Sequence, residues 1–403
     1  MNIRTKPSGI LSVLLTGAVA LTASAAGGGQ AGGPGALEDA YSGFAGPVFD
    51  IAALPNGNLL VAETAPDWLG NSIKEISARG ISEMAQIGVT PGSPVNGLEP
   101  IGQRNFFATS GGQDLAVGAG LWRVSGGNSK FIADIESFTL GDWPTGEPGP
   151  YPTDWKDFRC EEFAAFSHGP QTNPYHLAAV SGSEVLIGDA ANNGVLWANN
   201  DGDIEVVAFM EPPIDPDTGN WMVLGYVNED GEIVGFGGEA DGPVECYVEP
   251  VPTSVAIGPD GGWYVGELTG ATAVNFIGDD DKATPRGLAR IWRIEPGARD
   301  VVCPSAECME VVSGLNSVID IEFGPDGLLY VVEYEKNGFL GTVAPDLGIE
   351  LAGSAVKRCN VGTGECNTLD HGFLAGALTF DKWNNLWLVD NVFDATIRKV
   401  DWQ

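Results

Sequence analysis

The chain holds only three histidines, His168, His176 and His371. Each lies just ahead of, or at the start of, a stretch of alternating apolar residues. An imidazole beside carboxylates can orient a ligand, move a proton or hold a cation. Asp50 and Asp320 take the position of His176 in other copies of one recurring segment, and Asn173 and Thr253 lie close to that position. His168, His176, His371, Asp50, Asp320, Asn173 and Thr253 therefore form the candidate ligand-binding set. Asp50, Asn96 and Asp320 make a smaller set of oxygen donors suited to a hard cation such as calcium. Three acidic stretches, DPDTGN from Asp215, NNDGD from Asn199 and GDDDK from Gly278, lack the closing Glu of an EF-hand loop and read as solvated turns. No GxSxG elbow, phosphate-cradling loop or dinucleotide fingerprint occurs. No catalytic residue is assigned.

What positions these residues is a repeat. Asp320 to Glu333 reads DIEFGPDGLLYVVE, and Asp50 to Glu63 reads DIAALPNGNLLVAE. Gly97, His176, Ser254 and Ala377 open four further copies of the same fourteen-residue length. Each copy is an apolar alternating run, a turn of Gly, Asn or Asp, and a second run. Period-two alternation bounded by turn residues marks paired strands, and a fixed internal repeat marks a repeat architecture. Third strands follow most copies, such as Leu121 to Val124 and Ile397 to Val400, and fourth strands follow some, such as Glu205 to Phe209 and Glu310 to Leu315. Four antiparallel strands per unit, six times over, predict an all-β, six-bladed β-propeller. The last copy ends after its third strand. Leu37 to Phe44 is expected to supply the missing fourth and close the ring, which removes a free sheet edge. Glu63, Asp189, Glu267, Glu333 and Asp390 end five of the copies. An acid that recurs in this way is expected to accept loop N–H groups rather than to touch ligand.

The two widest gaps between copies hold residues 138–167 and 211–249, expected to cap one face of the ring. Trp143, Trp155 and Trp221 in these insertions are candidates to contact an aromatic or sugar ligand, whereas Trp197, Trp263, Trp292 and Trp387 fall on strands and are expected in the core. Six cysteines, none in a CxxC pair, suggest three structural disulfides. Close spacing pairs Cys303 with Cys308 and Cys359 with Cys366, leaving Cys160 with Cys246 to join the two insertions. A basic start (Arg4, Lys6), an apolar run from Ile10 to Leu21 and Ala23-Ser24-Ala25 predict a signal peptide over 1–25, cleaved near Ala25. A Gly-rich leader follows over 26–36, and a single propeller domain over 37–403. A secreted or periplasmic monomer without a membrane span is expected. A net charge of −34, from 54 acids against 20 bases, excludes nucleic acid as a partner.

At NPYHLAAVSGSEVLIGDAANNGVLWANNDGDIEVVAF (Asn173 to Phe209) and PVPTSVAIGPDGGWYVGELTG (Pro250 to Gly270) the chain resembles the ScyD/ScyE family, named from scytonemin biosynthesis clusters. The resemblance runs from about Phe44 to Val400. It implies an exported six-bladed propeller, more distantly similar to NHL and gluconolactonase-like propellers. For members in scytonemin clusters it implies a late role in assembling an aromatic dimer outside the cytoplasm. The chain departs from the family pattern at His176, where the family has a small residue, and at the acidic loop after Gly270.

The function this reading expects is binding of a small-molecule or peptide ligand at the channel mouth. The alternative is a calcium-dependent lactone or ester hydrolase of the gluconolactonase or paraoxonase type. A third reading is an extracytoplasmic protein-interaction scaffold.

Overall fold

The computed structural model describes residues 37–65, 71–87, 94–111, 118–141, 172–214, 219, 221, 223–227, 233–235, 246–269, 287–339, 342 and 351–402. Each copy of the repeat folds into the first two strands of an antiparallel sheet, and six such sheets surround one axis. Blade 1 runs Val48–Ala53, Leu59–Thr64, Asn71–Ser77 and Gly80–Ile87. Blade 2 runs Val95–Gly102, Asn105–Ser110, Gly120–Ser125 and Asn128–Asp134. Blade 3 runs Pro174–Ala179, Glu184–Asp189, Gly194–Asn199 and Ile204–Met210. Blade 4 runs Pro252–Ile257, Trp263–Glu267, Ala289–Ile294 and Cys308–Leu315. Blade 5 runs Val318–Phe323, Leu329–Glu333, Ser354–Asn360 and Glu365–Gly372. Blade 6 runs Ala377–Phe380, Leu386–Asp390 and Thr396–Val400.

The first strand of every blade touches those of its two neighbours, blade 6 against blade 1, so the ring is a closed six-bladed propeller. At the outer edge of blade 6, Ala40–Tyr41 pairs antiparallel with the third strand, Ala40 opposite Arg398 and Tyr41 opposite Ile397. This strand is only two residues long. Tyr41 is buried, and its ring centroid lies 6.3 Å from that of Trp387.

The core is divided among the gaps between blades. One apolar cluster joins blades 1 and 2 through Leu60, Ile73, Phe106 and Trp122. Others join 2 to 3, 3 to 4 and 4 to 5, and the largest spans 5, 6 and 1. Trp263, Trp292 and Trp387 are buried in these clusters, and Trp197 packs against one of them. Each blade face is thus buried against a neighbour, which is why the second strands are apolar along nearly their whole length.

Both expected local disulfides are present. Cys359 and Cys366 sit directly opposite each other on the third and fourth strands of blade 5. Cys303–Cys308 does more than close a turn. Val301–Cys303 leaves blade 4 and adds a parallel fifth strand to the edge of blade 3, so this bridge ties two blades together. Cys160 lies outside the described residues, as do residues 1–36, Trp143 and Trp155. Part of the second insertion is described: Val223–Val227, Ile233–Gly235 and Cys246–Tyr247 form a small three-stranded sheet. Trp221 packs against the apolar cluster between blades 2 and 3. Among the described residues, no helix is long and apolar enough to cross a membrane.

Candidate functional site

The six first strands line the axis, and the residues of the repeat fall into layers along it. In five blades the register slips by one residue near the start of the first strand: Val48/Asp50, Val95/Gly97, Pro174/Leu177, Pro252/Ser254 and Val318/Asp320. A bulge of this kind bends the strand and re-aims a side chain. Alternation of residue types does not reveal it, yet it decides what enters the axis.

In the first layer the bulky polar residues come from alternate blades: Asp50 from blade 1, His176 from blade 3 and Asp320 from blade 5. The other three blades supply Gly97, Ser254 and Ala377. Gly97 is required there, since a Cβ would fall 2.6 Å from the Tyr175 carbonyl of the next blade. His176 Nδ1 donates to Asp320 Oδ1 at 2.9 Å, and its Nε2 lies 3.8 Å from Asp50 Oδ1 and 3.4 Å from the Phe49 carbonyl. All three residues are buried, none more than 7 % exposed. Burial alone would lower the His176 pKa, but the charges of Asp50 and Asp320 and the hydrogen bonds around it raise it to about 9. Burial pushes Asp50 up to about 7, although the His176 charge opposes this. The trio is a blade 3 imidazolium held between acids from blades 1 and 5.

These carboxylates also tie adjacent blades. Asp50 Oδ2 accepts from Leu98 N of blade 2 at 2.5 Å, and Asp320 Oδ2 from Leu378 N of blade 6 at 2.8 Å. Their Oδ1 atoms accept from Ile51 N and Ile321 N. Innermost strands are sheet edges, so their outward N–H groups need partners from elsewhere. Asn96 and Thr253 serve the same need in the other sense: Asn96 Nδ2 donates to the Pro174 carbonyl at 3.0 Å and Thr253 Oγ1 to the Val318 carbonyl at 2.7 Å. Asn173 accepts from Asn96 Nδ2 and donates its own N–H to Asp189. Asn96, Asn173 and Thr253 are therefore joints in the wall, their polar atoms buried and satisfied by backbone and neighbour.

His371 also departs from expectation. It lies on the outermost strand of blade 5, exposed, with Nδ1 3.5 Å from Lys336 Nζ. It precedes the blade 6 inner strand in sequence, but a whole blade width separates the two in space. His168 lies outside the described residues. The expected oxygen set does not form either: Asp50 and Asp320 meet around an imidazole, and Asn96 is engaged elsewhere. All four carboxylate oxygens already accept N–H groups. Calcium takes six to eight oxygens, so this donor set does not fit it.

Three of the five recurrent acids at the ends of the second strands hold loops, whereas the other two pair with bases on third strands. Asp189, Glu333 and Asp390 accept from Asn173 N, Asn316 N and Phe373 N at 2.7–2.8 Å. Glu63 and Glu267 pair with Lys74 and Arg290.

Two further acids line the axis and are not in the expected set. Glu99 of blade 2 and Glu322 of blade 5 sit two residues past the first layer, where the other blades carry Ala52, Ala178, Ala256 and Thr379. Blades 2 and 5 stand opposite in a six-membered ring. Glu322 Oε1 accepts from Phe380 N at 3.2 Å, and Glu99 accepts from Ala179 N. Both keep partial exposure to the channel, but the surrounding walls strip away bulk water. Burial raises each to about 8, with Asp50 adding to Glu99, and Asp320 and Glu99 adding to Glu322. The signal was an acid at the third position in only two of six copies.

Exposure grades along the axis. The first layer is buried in every blade, whereas Ala53, Pro100, Ala179, Ile257, Phe323 and Phe380 are all half-buried. The axis therefore holds a cavity of about 320 Å³ floored by the trio, with its opening on the face of the first turns. At the opposite end of the axis Tyr175, Tyr334 and Phe339 are buried in apolar packing.

Neither a protein-family model nor a curated protein matches the chain. Among solved structures it is similar to virginiamycin B lyase from Staphylococcus aureus, at 12 % identity over 87 % of this chain and 80 % of that one, with a TM-score of 0.45. A streptogramin B lyase is similar at 10 % identity over 91 % and 96 %, with a TM-score of 0.44. YCF48 bound to D1 peptide is similar at 8 % identity over 90 % and 81 %, with a TM-score of 0.40. Likeness this distant carries no argument about activity, and the fold rests on the sheet order itself.

Proposed function

We propose that the protein is an exported, ScyD/ScyE-like propeller that binds a small ligand in its axial channel. The observation that carries this reading is the cavity of about 320 Å³, at the lower end of the range for small-molecule sites, with polar groups at fixed depths inside an otherwise apolar wall. A space of that size suits a small molecule better than a folded partner. Export is supported by the N-terminal signal pattern and by two disulfides, which persist in oxidising compartments. The ScyD/ScyE resemblance adds the expectation of an exported propeller and no particular substrate.

The test obstructs the opening without touching the core. Ala179 is half-buried at the channel rim. A panel of small molecules is screened by ligand-observed NMR against the wild type and against Ala179→Trp. Ligands that bind the wild type are expected to lose binding in the variant while its melting temperature stays within a few degrees. Ligands that bind both proteins equally sit elsewhere and remove the channel as the site.

A further inference from the structure

The channel carries two acids with no basic partner. Among the described residues, neither Glu99 nor Glu322 makes an ion pair, and no Lys or Arg lines the cavity. Its single imidazole, His176, is already held between Asp50 and Asp320. Buried carboxylates are ordinarily paired or hydrogen-bonded on both oxygens. Here the backbone N–H of Phe380 satisfies one oxygen of Glu322 and the Thr379 hydroxyl stands by the same carboxyl, and among the described residues no cation faces the pair.

Nearer the opening, the wall is apolar. Ala53, Pro100, Ala179 and Ile257 line it with Phe323 and Phe380. Both rings are held by edge-on neighbours: Tyr264 stands 4.8 Å from Phe323, and Tyr330 and Trp402 stand 4.8 Å and 5.3 Å from Phe380. The channel thus runs from an apolar collar to an acidic ring and ends on a floor whose charges are internally matched. A ligand that fits this order has an apolar stem and a positive head of one or two hydrogen-bonding N–H groups. The formal charge of −34 favours approach of cations from solution.

We propose that the channel takes a small organic cation, a primary amine or guanidine with an apolar stem, whose charged head lies between Glu99 and Glu322. This rests on the channel being the binding site, and it adds the class of ligand. Residues facing the two acids are each other, Asp50, Asp320 and Thr379, with His176 at the floor. Because burial holds both acids largely protonated near neutrality, the arriving ammonium draws a proton off the carboxyl into solvent. The linkage follows: binding releases protons at pH 7 and tightens as pH rises towards 8.5.

Isothermal titration calorimetry of the full chain with phenethylamine, 2-phenylethanol and calcium chloride tests it. Phenethylamine is expected to bind with proton release, read from buffers of different ionisation enthalpy. The double variant Glu99→Gln/Glu322→Gln is expected to bind at least tenfold more weakly, with its melting temperature retained. Each single variant is expected to fall between. Equal binding of the uncharged alcohol overturns the cationic class while leaving the channel as the site. Calcium binding that phenethylamine does not displace, or amine binding without proton release, also overturns it. No amine binding at millimolar concentration overturns it too, and the Ala179→Trp screen then decides separately whether the channel binds anything.

Discussion

The floor and the waist of one channel use the same chemistry for opposite ends. At the floor, Asp50 and Asp320 surround His176, and every carboxylate oxygen has a donor. One layer further along the axis, on the first strands of blades 2 and 5, Glu99 and Glu322 face each other, and among the described residues no base lines the cavity beside them. Both layers bury acids, and both use an oxygen to cap the next blade. The difference is one imidazole. Where it is present, the charges lock three alternate blades together; where it is missing, burial keeps the acids largely protonated near neutrality and open to an incoming cation. Burial of a carboxylate therefore says little about its role until its counter-charge has been found.

The largest expected effect removes that counter-charge. His176→Phe leaves two buried acids facing each other, and breaking a buried pair in this way costs about 3–5 kcal/mol. Urea unfolding at pH 7 reads the loss. A variant as stable as the wild type ends the idea of a locked floor. Next comes asymmetry within the trio. Asp320 sits 2.9 Å from His176 and Asp50 3.8 Å away, so Asp320→Asn is expected to cost about 2 kcal/mol more than Asp50→Asn, in line with loss of a charge-assisted hydrogen bond. Equal losses place the imidazolium midway and refute the shorter contact as the stronger.

pH sharpens the contrast. His176 is raised to about 9 in the fold, so its contribution is complete below its unfolded value near 6.5 and is lost as pH rises through 9. Asp50, Glu99 and Glu322 are raised acids, so the fold binds protons that the unfolded chain has already released. They lower stability progressively as pH climbs from about 4 to 8. All four shifts act in one direction, and the melting temperature is expected to fall from pH 5 to pH 9. Calorimetric scans showing a rise over that range contradict the assignment. The smallest effect is at the waist: Glu99→Gln and Glu322→Gln are each expected to change stability by less than about 0.5 kcal/mol at pH 5. At pH 9 they become stabilising, because they remove an acid whose ionised form the walls oppose.

Much of this architecture is legible in the chain. Strand pairs, turns and the count of six follow from period-two alternation repeated at fixed length, because a strand with both faces against neighbours must be apolar and a tight turn needs Gly, Asn or Asp. The two local disulfides follow from spacing. The meeting of Asp50, His176 and Asp320 is half legible: their equivalent places in the repeat put them in one layer, but only ring closure brings blades 1, 3 and 5 within hydrogen-bond reach. Asn96, Asn173, Thr253 and His371 looked equally eligible. What sets their places apart from the trio is the bulge register and blade width, which depend on distances between strands far apart in sequence. Glu99 and Glu322 were hidden for the same reason, since an acid on an alternating strand reads as solvent-facing until six strands enclose it. Residue types and periods are local and survive in one dimension. Depth along the axis, the open end of the channel and the groups that surround each acid are properties of the closed ring, and only folding creates them.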